Sequence, residues 1–135
     1  MTEETQKLNQ QELFEEIADF LDEYLDAMPP EVLRDLHLGV ILEPEKKMSP
    51  QGLIMGEYRI SALGNGIVLY FGSFLSRFPA LPVELLKYEV AATLRHELTH
   101  HVEHLAGDYS LAKEEARERE EWYRERMERG EGKDE

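Results

Sequence analysis

The chain has no cysteine among its 135 residues, which removes disulfides, thiolate zinc sites and thiol nucleophiles from consideration together. Any zinc it holds must be bound by nitrogen and oxygen. No apolar run approaches the roughly 20 residues of a membrane span, and "MTEETQKLNQQELFEE" lacks the basic segment and apolar stretch of a secretory signal. These absences set the expectation of a cytoplasmic protein that does not enter a membrane. Positive charge is scarce as well: 15 Lys and Arg stand against 29 Asp and Glu, a net charge of -14. That balance disfavours nucleic acid or an anionic membrane surface as the partner and leaves a metal ion or a basic peptide as more welcome.

What is present suits one domain, since a chain of this length can bury a single core and is too short for two comfortable ones. Leu13, Phe14, Ile17, Phe20, Leu21, Tyr24, Leu25 and Met28 recur at three- and four-residue steps and predict an amphipathic helix ending at "MPP". A short helical turn over Glu31 to Leu36 can follow, started by Pro29 and Pro30. "LHLGVILEP", "GLIMGEYRI" and, after a Gly-Asn-Gly turn signal, "NGIVLYFGSF" read as up to three short strands of a small mixed or antiparallel sheet. A long helix then starts near Pro82 and stops at Gly107. From Lys113 the Glu- and Arg-rich tail reads as a solvated helix with the last six residues disordered. The expected organisation is an α+β domain over 1–112 and a charged helical extension over 113–135.

Histidine is also rare, with five in the chain, yet four of them lie in "RHELTHHVEHLAGD", residues 95 to 108. Within it, His96-Glu97-Leu98-Thr99-His100 fits H-E-x-x-H. With His96 at zero on a helical wheel, His100 falls at about 40°, His104 at about 80°, Glu97 at about 100° and Glu103 at about -20°. Leu94, Leu98, Val102 and Leu105 gather between about 160° and 240°, so the helix can bury one face and aim imidazoles at a cleft. His96 and His100, one turn apart, suit a shared tetrahedral zinc at about 2.0–2.1 Å per Zn–N bond. Glu97 is rotated off that axis and can accept a proton from a zinc-activated water attacking a carbonyl, then return it to the departing amine. His101, near about 140° and bordering the core face, reads as a packing histidine held by hydrogen bonds, and His37 as structural.

At these residues the chain resembles the small bacterial zincin-like metallopeptidases, the single-domain family described as a minimal zincin. The resemblance rests on "ATLRHELTHH", on the apolar segment "GIVLYFGSF" upstream, and on the order helix, short sheet, long motif helix; it covers about residues 10 to 115. It implies a compact α+β fold, a zinc cofactor, hydrolysis of peptides or unfolded protein, and a cleft between the motif helix and an edge strand, here near Gly66 to Phe71, to which an extended peptide could pair. The family motif continues as H-E-x-x-H-x-x-G-x-x-D. Here Glu103 stands in the place of the glycine and Ala106 in that of the aspartate, while Gly107-Asp108 arrives one helical turn late.

Asp108, directly after a glycine, is therefore the first choice as third ligand, with Glu103, His104, Glu114 and Glu115 as substitutes. Tyr109, Tyr88, Arg95 and His101 are candidates for steadying the oxyanion. The alternative to a peptidase is a non-catalytic metal-binding or interaction module in which a fourth protein ligand closes the site to water.

Overall fold

The structure, a computed structural model, describes residues 9–129, with the backbone alone described at 108–113, 115 and 129. The chain divides into two units, Met1–His101 and Val102–Glu135. The first begins with α1, Gln10–Asp26. Its start is fixed by reciprocal bonds: Asn9 Oδ1 accepts from the Glu12 N–H at 2.8 Å, and the Glu12 carboxylate accepts from the Asn9 N–H at 3.2 Å. Two of the otherwise unpartnered amides are thereby satisfied. A 3-10 turn, Pro30–Leu33, follows the helix.

Among the described residues five strands follow where up to three were expected: β1 Gly39–Glu43, β2 Lys47–Ser49, β3 Gly52–Ile54, β4 Gly56–Ser61 and β5 Gly64–Tyr70. β5 lies at the centre of a mixed sheet in the order β1-β5-β4, parallel to β1 and antiparallel to β4, while β2 and β3 form a separate antiparallel pair. The architecture is α+β, and of the two sheet types expected it is the mixed one. The edge expected near Gly66 to Phe71 is not an edge. Ile67 to Phe71 are buried in succession, and an uninterrupted buried run belongs to a strand covered on both faces and paired on both sides.

"GIVLYFGSF" also stops being strand at Tyr70, because Phe71–Arg77 forms α2. Two tertiary contacts accompany the change. Gly72 lies so close to the β1–β2 connection that a Cβ there would stand 2.5 Å from the Lys46 nitrogen and 2.7 Å from the Glu45 carbonyl carbon. Buried Ser73 accepts the Lys47 N–H at 3.0 Å. The turn expected at Gly-Asn-Gly sits two residues earlier, at Ala62-Leu63, where the Ser61 hydroxyl donates to the Gly64 carbonyl at 2.8 Å.

The last helix, α3, is Val83–Arg129, and its first turn bonds back to the Pro82 carbonyl. Within the first unit its Leu86, Val90, Leu94 and Leu98 form an inward stripe at four-residue steps. They meet Ile17 and Leu21 of α1, Ile67 and Leu69 of β5, and Phe71 and Phe74 of α2 in the core. Each such side chain contributes roughly 1.5–3 kcal/mol when fully buried. Leu94 and Leu98 thus occupy the buried back expected of the motif segment.

In the second unit the helical backbone passes through Gly107 and Asp108, so the stop expected there is not made. A single helical glycine costs about 1 kcal/mol, and the tail compensates with good helix formers and with Arg117, which donates to Glu114 at 2.6 Å and to Glu121 at 2.8 Å. The last six residues, expected to be disordered, lie outside the described residues. Among the described residues, no helix is long and apolar enough to cross a membrane.

Candidate metal centre

One turn of α3 carries His96 and His100 on its exposed side, and their Nε2 atoms converge to 3.2 Å. The rings stand nearly perpendicular, at 85° with centroids 4.7 Å apart. Nitrogens so placed share either a proton or a cation between them. Glu97, between them in sequence, is 8% exposed, and among the described residues no hydrogen bond or ion pair holds its carboxylate. None of the buried side-chain oxygens described is left unsatisfied, so the Glu97 oxygens open on the adjoining groove.

That groove has a volume of about 480 Å³. Ala92, Thr93, His96 and Glu97 form its helical wall, and Leu53 to Gly56, from the end of β3 into β4, form the other. The Tyr70 N–H donates to the Met55 carbonyl at 2.9 Å, which ties the strand wall to β5. A Cβ at Gly56 would lie 2.9 Å from Leu69 Cδ2 and 3.0 Å from Thr93 Cγ2. Glycine is what lets strand and helix touch there. Sequence reasoning did not find this wall: "GLIMG" signals extended chain, but nothing local says that it faces residues some forty positions away.

On β4 and β5 a polar cluster fastens the same wall to its neighbours. Glu57 accepts from the Tyr70 hydroxyl at 2.7 Å, from Lys47 Nζ at 3.0 Å and from Arg59 at 3.2 Å, and Arg59 also donates to the Tyr70 oxygen at 2.7 Å. The Tyr70 hydrogen bond, followed by those of Lys47 and Arg59, holds the Glu57 carboxyl down at about 2, against the opposing effect of its desolvation. A carboxylate depressed in the folded state stabilises the protein above its unfolded pKa and ceases to do so as pH falls through the folded one. Stability should therefore decline as pH drops from about 4.5 to about 2, and Glu57→Gln should flatten that part of the curve. Urea unfolding at a series of pH values checks it.

His101 is fully buried and bridges elements far apart in sequence. Its Nε2 is 2.6 Å from the Arg34 carbonyl and its Nδ1 is 2.7 Å from the Tyr58 hydroxyl. Because a carbonyl only accepts, Nε2 carries the hydrogen that Arg34 receives, while Nδ1 pairs with the Tyr58 hydroxyl. Both nitrogens are committed. Of the other oxyanion candidates, Tyr88 is exposed, Arg95 donates to Tyr24 at 2.8 Å, and the Tyr109 side chain lies outside the described residues. None of Tyr88, Arg95 and His101 lines the groove.

Among the described residues the structure brings together His96, Glu97 and His100 without a third ligand. Among the described residues, no group of three or more His, Asp or Glu is placed to hold a metal ion. The Asp108 and Glu115 side chains lie outside the described residues, and Glu114 is paired with Arg117. The turn expected from Gly107-Asp108 is replaced by helix. His37 lies 3.9 Å from Asp35, on the exposed surface.

Fold and site together define an α+β protein whose long helix presents an H-E-x-x-H turn to a groove walled by a strand. No protein-family model and no curated protein matches the chain. Among solved structures it is similar to a conserved hypothetical protein from Thermus thermophilus, with 33% identity and a TM-score of 0.59 over 70% of this chain and 97% of that one. At that identity and coverage, this chain belongs to the same family as the Thermus protein.

Proposed function

We propose that the protein is a zinc-dependent peptidase of the minimal zincin type, hydrolysing peptides or unfolded protein segments in the cytoplasm. The observation that carries this is the 3.2 Å separation of the His96 and His100 Nε2 atoms. Two nitrogens bound to one tetrahedral zinc at about 2.0–2.1 Å lie about 3.3–3.4 Å apart. Helical spacing makes the two rings neighbours, whereas their rotamers decide that both nitrogens point at one spot. The two imidazoles suit zinc and the chain offers no thiolate; a catalytic site takes a third protein donor, which does not stand beside them among the described residues.

His96 and His100 would hold the zinc, which when bound would supply Lewis acidity, drawing the pKa of water toward about 7 and polarising a carbonyl. The remaining work falls to the chain. Glu97, open to the groove and unencumbered by ion pairs among the described residues, accepts the proton of the water that attacks the peptide carbonyl. It then passes that proton to the departing amine. The strand wall opposite holds the substrate backbone beside the imidazoles.

The test is elemental analysis of protein purified without a metal-affinity tag. About one zinc per chain is expected in the wild type, and it should be lost when His96→Ala and His100→Ala are combined. Wild-type protein that holds no zinc, after zinc is offered and weakly bound ion is washed away, overturns the reading. Asp108→Ala in the same series shows whether that residue supplies the third donor.

A further inference from the structure

The groove next to Glu97 is more selective than a bare water-activating site requires. We infer that it takes an apolar side chain of the substrate at the residue flanking the bond that is cut. The inference rests on the peptidase reading and adds to it a class of substrate.

The shape of the groove comes from small residues on the helix. Ala92 and Thr93 fall at about -40° and 60° on the wheel that has His96 at zero, so they continue the same stripe by one turn. Having little side chain, they leave about 480 Å³ open between α3 and the strand, within the range of about 300–1,000 Å³ in which proteins hold small ligands. Leu53, Ile54 and Met55 supply the wall opposite. Gly56 approaches Thr93 closely where the two walls meet, and Glu97 lines the same groove.

Charge and solvation choose the occupant. An acidic side chain would meet Glu97 at short range and a chain of net charge -14 at long range. A lysine or arginine would pair with Glu97 and occupy the oxygen needed to take the proton, so it would bind unproductively. A neutral polar side chain would give up its hydrogen bonds to water for aliphatic neighbours. An apolar side chain loses nothing by entering and displaces water from both walls.

Fluorescence anisotropy with a set of short labelled peptides, identical except for a central Leu, Phe, Ala, Asp or Lys, tests the groove on zinc-loaded Glu97→Gln protein, which should hold them uncut. The Leu and Phe peptides are expected to bind at least about tenfold more tightly than the Ala peptide, with Asp weakest. Ala92→Phe narrows the groove and should reduce the Leu and Phe advantage to less than about threefold. Leu53→Ala, which removes part of the opposite wall, should weaken both peptides without filling anything. Equal affinity across the set, tighter binding of the Asp or Lys peptide, or a ranking unmoved by Ala92→Phe overturns the inference. Failure of the peptidase reading looks different: wild-type protein without zinc that cuts none of the peptides, while the anisotropy ranking still decides what the groove prefers.

Discussion

Glu97→Gln is expected to keep about one zinc per chain while lowering peptide hydrolysis by roughly 10²-fold or more, the scale on which a positioned general base contributes. The substitution isolates proton transfer because little else depends on the carboxylate. The side chain is 8% exposed, and among the described residues it makes no ion pair whose loss would disturb α3. Glutamine has nearly the same shape, so the groove keeps its wall, but an amide cannot take up the proton. The imidazoles of His96 and His100 are untouched, and metal content should follow them alone. The variant also separates the two functional classes. A metal-binding or interaction module that performs no hydrolysis would tolerate Glu97→Gln without consequence, and equal cleavage by wild type and variant would rule out Glu97 as the base. Steady-state cleavage of an unfolded protein substrate, with zinc measured on the same preparations, gives the answer.

His101→Leu is expected to cost roughly 2–5 kcal/mol of stability and to leave zinc binding intact. Leucine replaces a fully buried imidazole with a side chain that can accept nothing and donate nothing. The Tyr58 hydroxyl and the Arg34 carbonyl, 2.7 Å and 2.6 Å from the ring nitrogens, would both lose a partner. Each hydrogen bond lost contributes about 0.5–1.5 kcal/mol net, and the misfit of leucine in a site shaped for the imidazole adds about 1–3 kcal/mol. Part of the loss is architectural, since these two bonds tie α3 to β4 and to the segment after the 3-10 turn. His96→Ala and His100→Ala remove exposed rings instead, and should cost the zinc-free protein little. Urea unfolding of the zinc-free proteins and zinc content of the loaded ones form the pair of measurements. A His101→Leu protein as stable as wild type would show that the two bonds contribute nothing net.

The motif helix was legible because its geometry is local. A period of 3.6 residues places His96 and His100 on one side and Leu94 and Leu98 on the other wherever the helix is docked, and the structure has Leu94 and Leu98 in the core. The first helix was legible for the same reason, and its Asn9–Glu12 cap lies within four residues. His101 bordered the apolar face on the wheel, and its burial follows from that phase. Its partners do not, because Arg34 and Tyr58 lie on other elements.

Strand order had no such local signature. "GIVLYF" could be read as a strand from its β-branched and aromatic residues, but whether it lay at an edge depended on which strands flanked it. One clue was present: the run does not alternate, which suits a covered central position better than a half-solvated one. Its end at Tyr70 was not readable, since Gly72 and Ser73 turn the chain by meeting Lys46 and Lys47, more than twenty residues earlier. At Gly107 the local signal was read and overridden, because a glycine tolerates helix when the residues on both sides favour it.

By itself, then, the amino-acid sequence determined the α+β composition, the amphipathic first helix, and a motif turn with its imidazoles on one side and its leucines on the other. All of these follow from contacts within a few residues, where backbone geometry leaves little freedom. The tertiary structure alone decided that β5 is central and that Leu53 to Gly56 form the wall facing His96 and Glu97. It also decided that both Nε2 atoms converge to 3.2 Å and that His101 is spent on structure. Those outcomes join segments from roughly thirty to seventy residues apart, or turn on rotamers that helical spacing leaves open. They are selected by which apolar surfaces can be buried together and which polar groups can be satisfied at once, and neither condition is written in any short stretch of chain.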